Sequence, residues 1–381
     1  MESIINMKER KLRIVYLSSA CIPSRTANSI HVMKMSQALA RVGHDVNLIA
    51  PDQQKGREQY PGNVWHYYGV EQGFEIAFGP WLSMKGRGYW YGWQAARMAL
   101  RWGADIVYGR NLAACTFAAL RGMPVVFETH SPVEDDGPLA HFLFRRLLKA
   151  RAFSHLVVIT EALARHYAEK WPELRGRINV APDGADPLPD TLQPVNLQTD
   201  GERLQVGYTG HLYHGKGAEH VLAVAQACPE FDFHLVGGTE RDLARWQERT
   251  DLPDNLTLHG YRPHAEIPAY LIAFDVVLLP NQLEVHSCGG SQDIGRWTSP
   301  LKLFEYMAAR RAIICSDVPV LQEIADHEVN MLVCRHDSAE DWAVALRRLA
   351  RDTQLRERLG AEARTQLEAR YSWQARAQRV I

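Results

Sequence analysis

Thr298-Ser299-Pro300-Leu301-Lys302-Leu303-Phe304-Glu305-Tyr306-Met307-Ala308-Ala309 reads as a helix start built to hold an anion. Ser299 is expected at the N-cap, and Pro300 at the first helical position, where its missing N–H would be unpaired anyway. The N–H groups of Leu301 and Lys302 then point outward at the positive end of the helix dipole. Lys302 adds a full positive charge at that end, where acidic residues are preferred. A cation in that place implies that the anion comes from outside. Glu305 follows one turn later on the same side of the helix. A carboxylate beside a phosphate site is repelled unless it accepts hydrogen bonds from neighbouring sugar hydroxyls. Phosphate plus vicinal hydroxyls describes a nucleoside diphosphate with its ribose. The plain alternative is a capped surface helix with solvated Lys302 and Glu305.

The 381 residues exceed one typical core, so two domains are expected. A formal net charge of −1 provides no global field for nucleic acid or membrane. An anionic ligand must therefore be held by local groups. The chain contains no apolar run long enough to span a bilayer and no signal-peptide core near its start, and its six cysteines show no CxxC or metal-type spacing. Free thiols in the cytoplasm are the simplest expectation.

Working outward, apolar runs alternate with helical patterns. In the first half, strands are expected at 12–17, 45–50, 105–108, 124–128, 155–159 and 178–181, with helices at 29–42, 111–121, 140–151 and 161–170 between them. Residues 183–203, rich in Pro, Asp and Gln, read as a linker. The alternation then restarts. Strands are expected at 204–208, 232–236, 256–259, 275–280, 312–316 and 330–334. Helices are expected at 216–227, 239–249, 265–273, 300–309, 319–325 and 338–350, followed by a helical region over 353–381 broken near Tyr371-Ser372-Trp373. Alternating β and α means parallel sheets with helices on both faces, with a ligand at the carboxyl ends of the strands. Residues 81–102 break the rhythm with four tryptophans and several basic residues. They read as aromatics packed against the first sheet or, alternatively, as an acceptor-binding or membrane-surface element.

The residues Ser299–Ala308 closely resemble the donor-binding signature of retaining, sugar-nucleotide-dependent glycosyltransferases of family four. Other segments resemble the same family in the same order. Pro23–His31 is similar to its first loop-to-helix segment, Glu128-Thr129-His130 to its strand-end histidine, Gly210-His211 with Lys216-Gly217 to the opening of its second domain, and the Tyr371–Trp373 break to the point where its last helix crosses back. The resemblance implies an α/β chain of the GT-B fold, two doubly wound Rossmann-like domains facing across a cleft. The first, residues 1–190, binds the acceptor and receives the C-terminal helix 372–381. The second, residues 191–371, binds the donor.

The implied activity moves a sugar from a nucleotide diphosphate sugar, UDP- or GDP-type, to an acceptor hydroxyl with retention. It is a metal-independent, hexosyltransferase-type reaction in glycan, glycolipid or polysaccharide synthesis, and needs no cofactor. The implied acceptor is a glycan, a lipid-linked sugar or a small molecule, and the implied place is the cytoplasm or the inner face of the membrane. The resemblance assigns Lys216 to the donor diphosphate, with Gly210 and Gly217 framing that loop. It assigns the backbone at Leu301 and Lys302, behind Ser299 and Pro300, to the distal phosphates. Glu305 falls on the ribose hydroxyls and His130 on the transferred sugar; His130, Lys216 and Glu305 form the implied catalytic set. Arg25, Asn28 and Ser29 fall on the cleft and acceptor side.

Two positions depart from the family pattern. His211 stands where arginine is usual; with a pKa near ~6.5 it is often neutral, and Arg296 is available to supply that charge. Trp297 stands where many relatives carry a sugar-holding glutamate, which leaves Asp293 and the Gly289–Gln292 loop to contact the sugar. Two other functions on the same architecture stay open: a nucleotide-sugar 2-epimerase and a non-catalytic nucleotide-sugar-binding partner subunit. The absence of GxGxxG after the first strand argues against a nicotinamide enzyme, and no DxD motif argues for a metal.

Overall fold

The computed structural model describes residues 10–381 apart from 61, 200, 201, 214, 286–292 and 294. Two compact units emerge: the chain up to Pro182 together with Trp373–Ile381, and Asp183–Ser372.

Unit 1 runs β1 (Arg13–Leu17), α1 (Ala27–Arg41), β2 (Asp45–Pro51), α2 (Val64–Tyr68), β3 (Glu75–Gly79), α3 (Arg87–Trp102), β4 (Ile106–Gly109), α4 (Leu112–Ala119), β5 (Val125–Thr129), α5 (Pro138–Lys149), β6 (Phe153–Val158), α6 (Glu161–Lys170) and β7 (Ile178–Val180). Its sheet has the order β3-β2-β1-β4-β5-β6-β7, and its neighbouring strands are parallel. Strands buried on both faces need near-continuous apolar runs, as in IVYL of β1 and VVF of β5. Helix starts are set by side-chain oxygens: Thr26 caps α1, Asn111 caps α4 and Thr160 caps α6.

Unit 2 runs β8 (Gln205–Thr209), α7 (Ala218–Ala227), β9 (Asp232–Val236), α8 (Glu240–Gln247), β10 (Leu256–Gly260), α9 (Ile267–Leu271), β11 (Val276–Leu279), α10 (Leu301–Ala308), β12 (Ala312–Ser316), β13 (Leu332–Cys334), α11 (Ala339–Arg351) and α12 (Thr353–Gln366). Its parallel sheet has the order β10-β9-β8-β11-β12-β13. The core on one side gathers Phe233, Leu235, Val276, Leu278 and Ile314 from the strands with Trp342, Leu346 and Leu349 of α11. A π-helical turn at Leu367–Tyr371 ends this unit, and α13 (Trp373–Val380) returns the chain to unit 1.

Four expectations are corrected. The stretch expected as a free linker packs on unit 2 and moves its boundary to Pro182. Its backbone is tied down by Val195 N–H donating to Ala269 O (3.1 Å) and by Arg364 donating to Leu188 O (3.1 Å). Residues 319–325 form successive turns with mixed three- and four-residue bonds, such as Ile324 N (3.0 Å) and Ala325 N (2.8 Å) to Leu321 O, rather than a continuous helix. Asn330 takes the Ile324 carbonyl with its side-chain amide (2.9 Å) and ends any continuation. The segment before residue 103 holds β3 and α3, which sequence periodicity did not resolve. Of the aromatics in 81–102, Tyr91 is buried, Trp81, Trp93 and Trp102 are half-buried, and Tyr89 and Trp90 are exposed, so the expected inward packing is complete for Tyr91 only.

Candidate functional site

In a doubly wound sheet, ligands gather outside the carboxyl ends of the strands where the order reverses. In unit 2 that point lies between β8 and β11. The loop after β8 carries Gly210, His211 and Lys216; the loop after β11 leads into α10. Tyr208, at the end of β8, is buried and places its hydroxyl 2.7 Å from His211 O and 3.2 Å from Lys216 O, so one side chain shapes the lysine loop. Gly217 has φ +85°, and a Cβ there would come within 1.9 Å of Pro280 O. Only glycine lets this loop lie against the loop after β11.

Lys302 is the second residue of α10, and its ammonium lies 4.2 Å from the centre of the Tyr208 ring. Gly210 beside it has φ +138°, a backbone conformation that favours glycine, and a Cβ there would make only ordinary contact with that ammonium, at 3.7 Å. The residue as a whole is half-buried, but protein atoms surround its ammonium. Burial, then the nearby charge of Lys216, push its pKa well below the ordinary lysine range, against the opposing pull of Glu305. The charge of Lys216 thus disfavours that of Lys302, which stands at a helix start with no acidic residue in its first turn. Glu305, one turn along and half-buried, accepts a hydrogen bond from His264 Nε2 on its Oε1 at 2.7 Å.

Ser299 and Pro300 are placed differently from expectation. Pro300 is itself the N-cap residue, α10 starts at Leu301, and the cap has no side-chain hydrogen bond. Ser299 Oγ instead accepts the Asp183 N–H at 3.1 Å, because its buried side chain turns toward the segment entering unit 2. Leaving α10 uncapped keeps its first N–H groups available to a ligand. Asp293 is expected on the sugar, but its Oδ1 accepts the N–H groups of Val285 and Gly295, both at 2.9 Å, and so fastens its own loop. Arg296 is exposed in the turn before α10, His211 stacks near Tyr213 with ring centres 5.2 Å apart, and Trp297 is half-buried. Cys288 and Gly289–Gln292 lie outside the described residues.

In unit 1, His130 follows β5, and its Nε2 is 2.5 Å from Glu128 Oε1. Glu128 is fully buried, with His31 Nε2 at 2.9 Å from the same oxygen and Arg376 Nη2 at 3.0 Å from the other. Burial alone would raise its pKa. Arg376 and His31, with hydrogen bonds from both histidines, outweigh that and hold the carboxyl well below the usual range. His31, Glu128 and His130 are also close enough to share a metal ion. The arrangement disfavours one: Glu128 is already neutralised by Arg376, and Arg110 lies 4.0 Å away. A divalent ion would enter against two guanidinium charges.

Of the residues expected on the cleft side, Ser29 is fastened into the start of α1. Ser29 is buried and donates to Ser24 O at 2.7 Å, Arg25 pairs with Glu58 at 3.1 Å, and Asn28 is half-buried. Sequence reasoning gave no role to Glu128, His31, Arg376 or His264, which this geometry ties to His130 and Glu305. Arg376 carried a readable signal. It falls in the buried stripe of α13 with Trp373, Ala377 and Val380, and a charge in an apolar stripe needs a buried partner.

The comparisons with known proteins agree with this geometry. The family described as Glycosyltransferase Family 4 matches residues 29–187, and the one described as Glycosyl transferases group 1 matches residues 190–366. Among curated relatives, a 2-deoxystreptamine glucosyltransferase of Streptomyces kanamyceticus is 26% identical over 228 residues, which cover 52% of this chain and 58% of that protein. A 2-deoxystreptamine N-acetyl-D-glucosaminyltransferase of Streptomyces fradiae is 27% identical over 203 residues, 47% of this chain and 48% of that one. The chain thus spans about half the length of the curated relatives it matches. Among solved structures, sucrose-phosphate synthase from Thermosynechococcus elongatus superposes with TM-score 0.69 at 17% identity, covering 97% of this chain and 96% of that one. Anabaena HepE in complex with UDP superposes with TM-score 0.69 at 16% identity, over 97% and 98% of the two chains. Among the described residues no helix is long and apolar enough to cross a membrane. With both halves matched and two Rossmann-like parallel sheets in place, the chain belongs to glycosyltransferase family 4, whose members have the GT-B fold, retain anomeric configuration and use nucleotide-sugar donors without a metal cofactor.

Proposed function

We propose that this chain transfers a glycosyl group from a nucleotide diphosphate sugar to an acceptor hydroxyl, with retention. The observation that carries the proposal is the convergence on Tyr208 of the Lys216 loop, whose carbonyl its hydroxyl reaches, and of the Lys302 ammonium over its ring, at the uncapped start of α10 with Glu305 one turn away. A diphosphate would relieve the repulsion between the two ammonium groups and accept the free N–H groups of Leu301 and Lys302. Glu305, held through one oxygen by His264, keeps its second oxygen for the ribose hydroxyls. The solved complexes of HepE with UDP and UDP-glucose support a uridine donor.

In the reaction, the bond from the anomeric carbon to the phosphate oxygen breaks and the bond to the acceptor oxygen forms on the same face. The departing phosphate oxygen takes the acceptor proton, so no strong protein base is required. Lys216, Lys302 and the N–H groups at the start of α10 offset the charge that develops on the diphosphate. His130, oriented by Glu128, is assigned to the transferred sugar, and unit 1 to the acceptor.

Nucleotide release from a panel of UDP- and GDP-sugars, with and without candidate acceptors, tests this reading. Transfer requires acceptor-dependent release and a glycosylated product. Acceptor-independent conversion of the donor sugar would instead mark an epimerase, and tight donor binding with no release would mark a binding subunit.

A further inference from the structure

From residue 76 to residue 104 the sequence contains no Asp or Glu, yet it carries Lys85, Arg87, Arg97 and Arg101, in a chain whose formal net charge is −1. The positive charge is therefore local, and it coincides with the tryptophan-rich stretch. Tyr91 fixes how that stretch is displayed. It is fully buried, and its hydroxyl reaches Ser18 O at 2.7 Å and Ile49 O at 2.9 Å, which pins the first turns of α3 to the carboxyl ends of β1 and β2. The residues just before and around it then face outward. Leu82 is 42% exposed, Met84 51%, Tyr89 38% and Trp90 38%.

Cations are interleaved with these rings. Arg87 lies 5.3 Å from the Trp81 ring centre, Arg97 lies 4.6 Å from that of Trp93, and Trp93 stands 5.1 Å from Trp90. The start of α3 repeats the anion-seeking pattern of α10. Gly86 offers no side-chain cap, the first turn has no acidic residue, and Arg87 stands at its head. Because α3 follows β3 in a parallel sheet, this rim lies at the carboxyl edge of the sheet, the edge where His130 follows β5.

We infer that this rim docks on a bilayer surface bearing anionic phospholipid headgroups, with Leu82, Met84 and Trp90 entering the interface and Lys85 and Arg87 meeting phosphates. Aromatic rings with one polar edge favour the headgroup level, and basic side chains beside them add attraction to an anionic leaflet. Stacked guanidinium groups keep their charge while shielding the rings, which suits a surface that must stay soluble when unbound.

Co-sedimentation of the full chain with phosphatidylcholine vesicles, with and without about one-third phosphatidylglycerol, tests this directly. The test uses neither donor nor acceptor, so its failure would leave the sugar-transfer reading standing. The expected result is binding to the anionic vesicles only. The paired substitutions Lys85→Glu and Arg87→Glu should weaken it about tenfold or more, and so should Met84→Asp. All three positions are exposed, and unchanged thermal melting will show that the variants fold. Equal binding to both vesicle types, binding that survives the substitutions, or self-association through Trp90 without vesicle binding would each overturn the inference.

Discussion

Arg376, on the last helix, lies 3.0 Å from Glu128 at the end of β5, and the two side chains are 2% and 0% exposed. The guanidinium also donates to Pro182 O (2.9 Å), Ala181 O (3.1 Å) and Tyr108 Oη (3.0 Å). One side chain thus binds the C-terminal helix to the carboxyl edge of the first sheet, directly behind His130.

Breaking that pair should be costly. Arg376→Met leaves the Glu128 charge buried without its guanidinium, and a loss of about 3–5 kcal/mol is expected. Chemical denaturation followed by the tryptophan signal of unit 1 measures it. Adding Glu128→Leu should recover part of the loss, because the double variant buries no lone charge. A double variant as unstable as the sum of the singles would contradict the pairing.

Acid should destabilise unit 2 through His234. This residue is 1% exposed, accepts from His259 on Nδ1 (2.9 Å) and donates from Nε2 to Gln205 (2.7 Å), and burial lowers its pKa to about 4. The unfolded value is higher, near ~6.5, so the unfolded chain binds more protons between the two values. Stability should therefore be full above about pH 6.5 and fall as pH drops toward the folded value, by at most about 3 kcal/mol. His234→Gln should flatten that part of the curve in urea melts taken across the window. An unchanged slope would show that the ring titrates normally.

Nucleotide binding should take up protons. Burial, and then the charge of Lys216, hold the Lys302 pKa well below the ordinary value against the pull of Glu305, and a diphosphate would raise it. Calorimetric titrations of UDP in buffers of different ionisation enthalpy report this as an uptake that rises with pH. Lys302→Met should abolish the uptake and weaken binding, while zero or negative uptake in the wild type would place the phosphates elsewhere.

The parallel β/α order of both units was legible in sequence because strands buried on both faces carry near-continuous apolar runs, as in IVYL of β1, VVF of β5 and VVLL of β11. The first residues of α10 were legible because a lysine at a helix start breaks a local rule. The element β3 was not, since its half-buried residues alternate weakly, and α3 was passed over because its tryptophans and basic residues drew the reading of a surface element. The Ser299 cap was misread for a tertiary reason: Asp183, far away in sequence, claims its hydroxyl. Glu128, His31 and Arg376 come from three separate elements, and no spacing rule brings them together before the sheet does.

The central claim is that the start of α10 grips a diphosphate while Glu305 holds the attached ribose. Calorimetric titration of UDP into the wild type and Glu305→Ala tests it most directly. Loss of about 1.5–3 kcal/mol in binding free energy, as for hydrogen bonds to a charged group, is the expected result. Unchanged affinity in a variant that melts like the wild type would contradict the account.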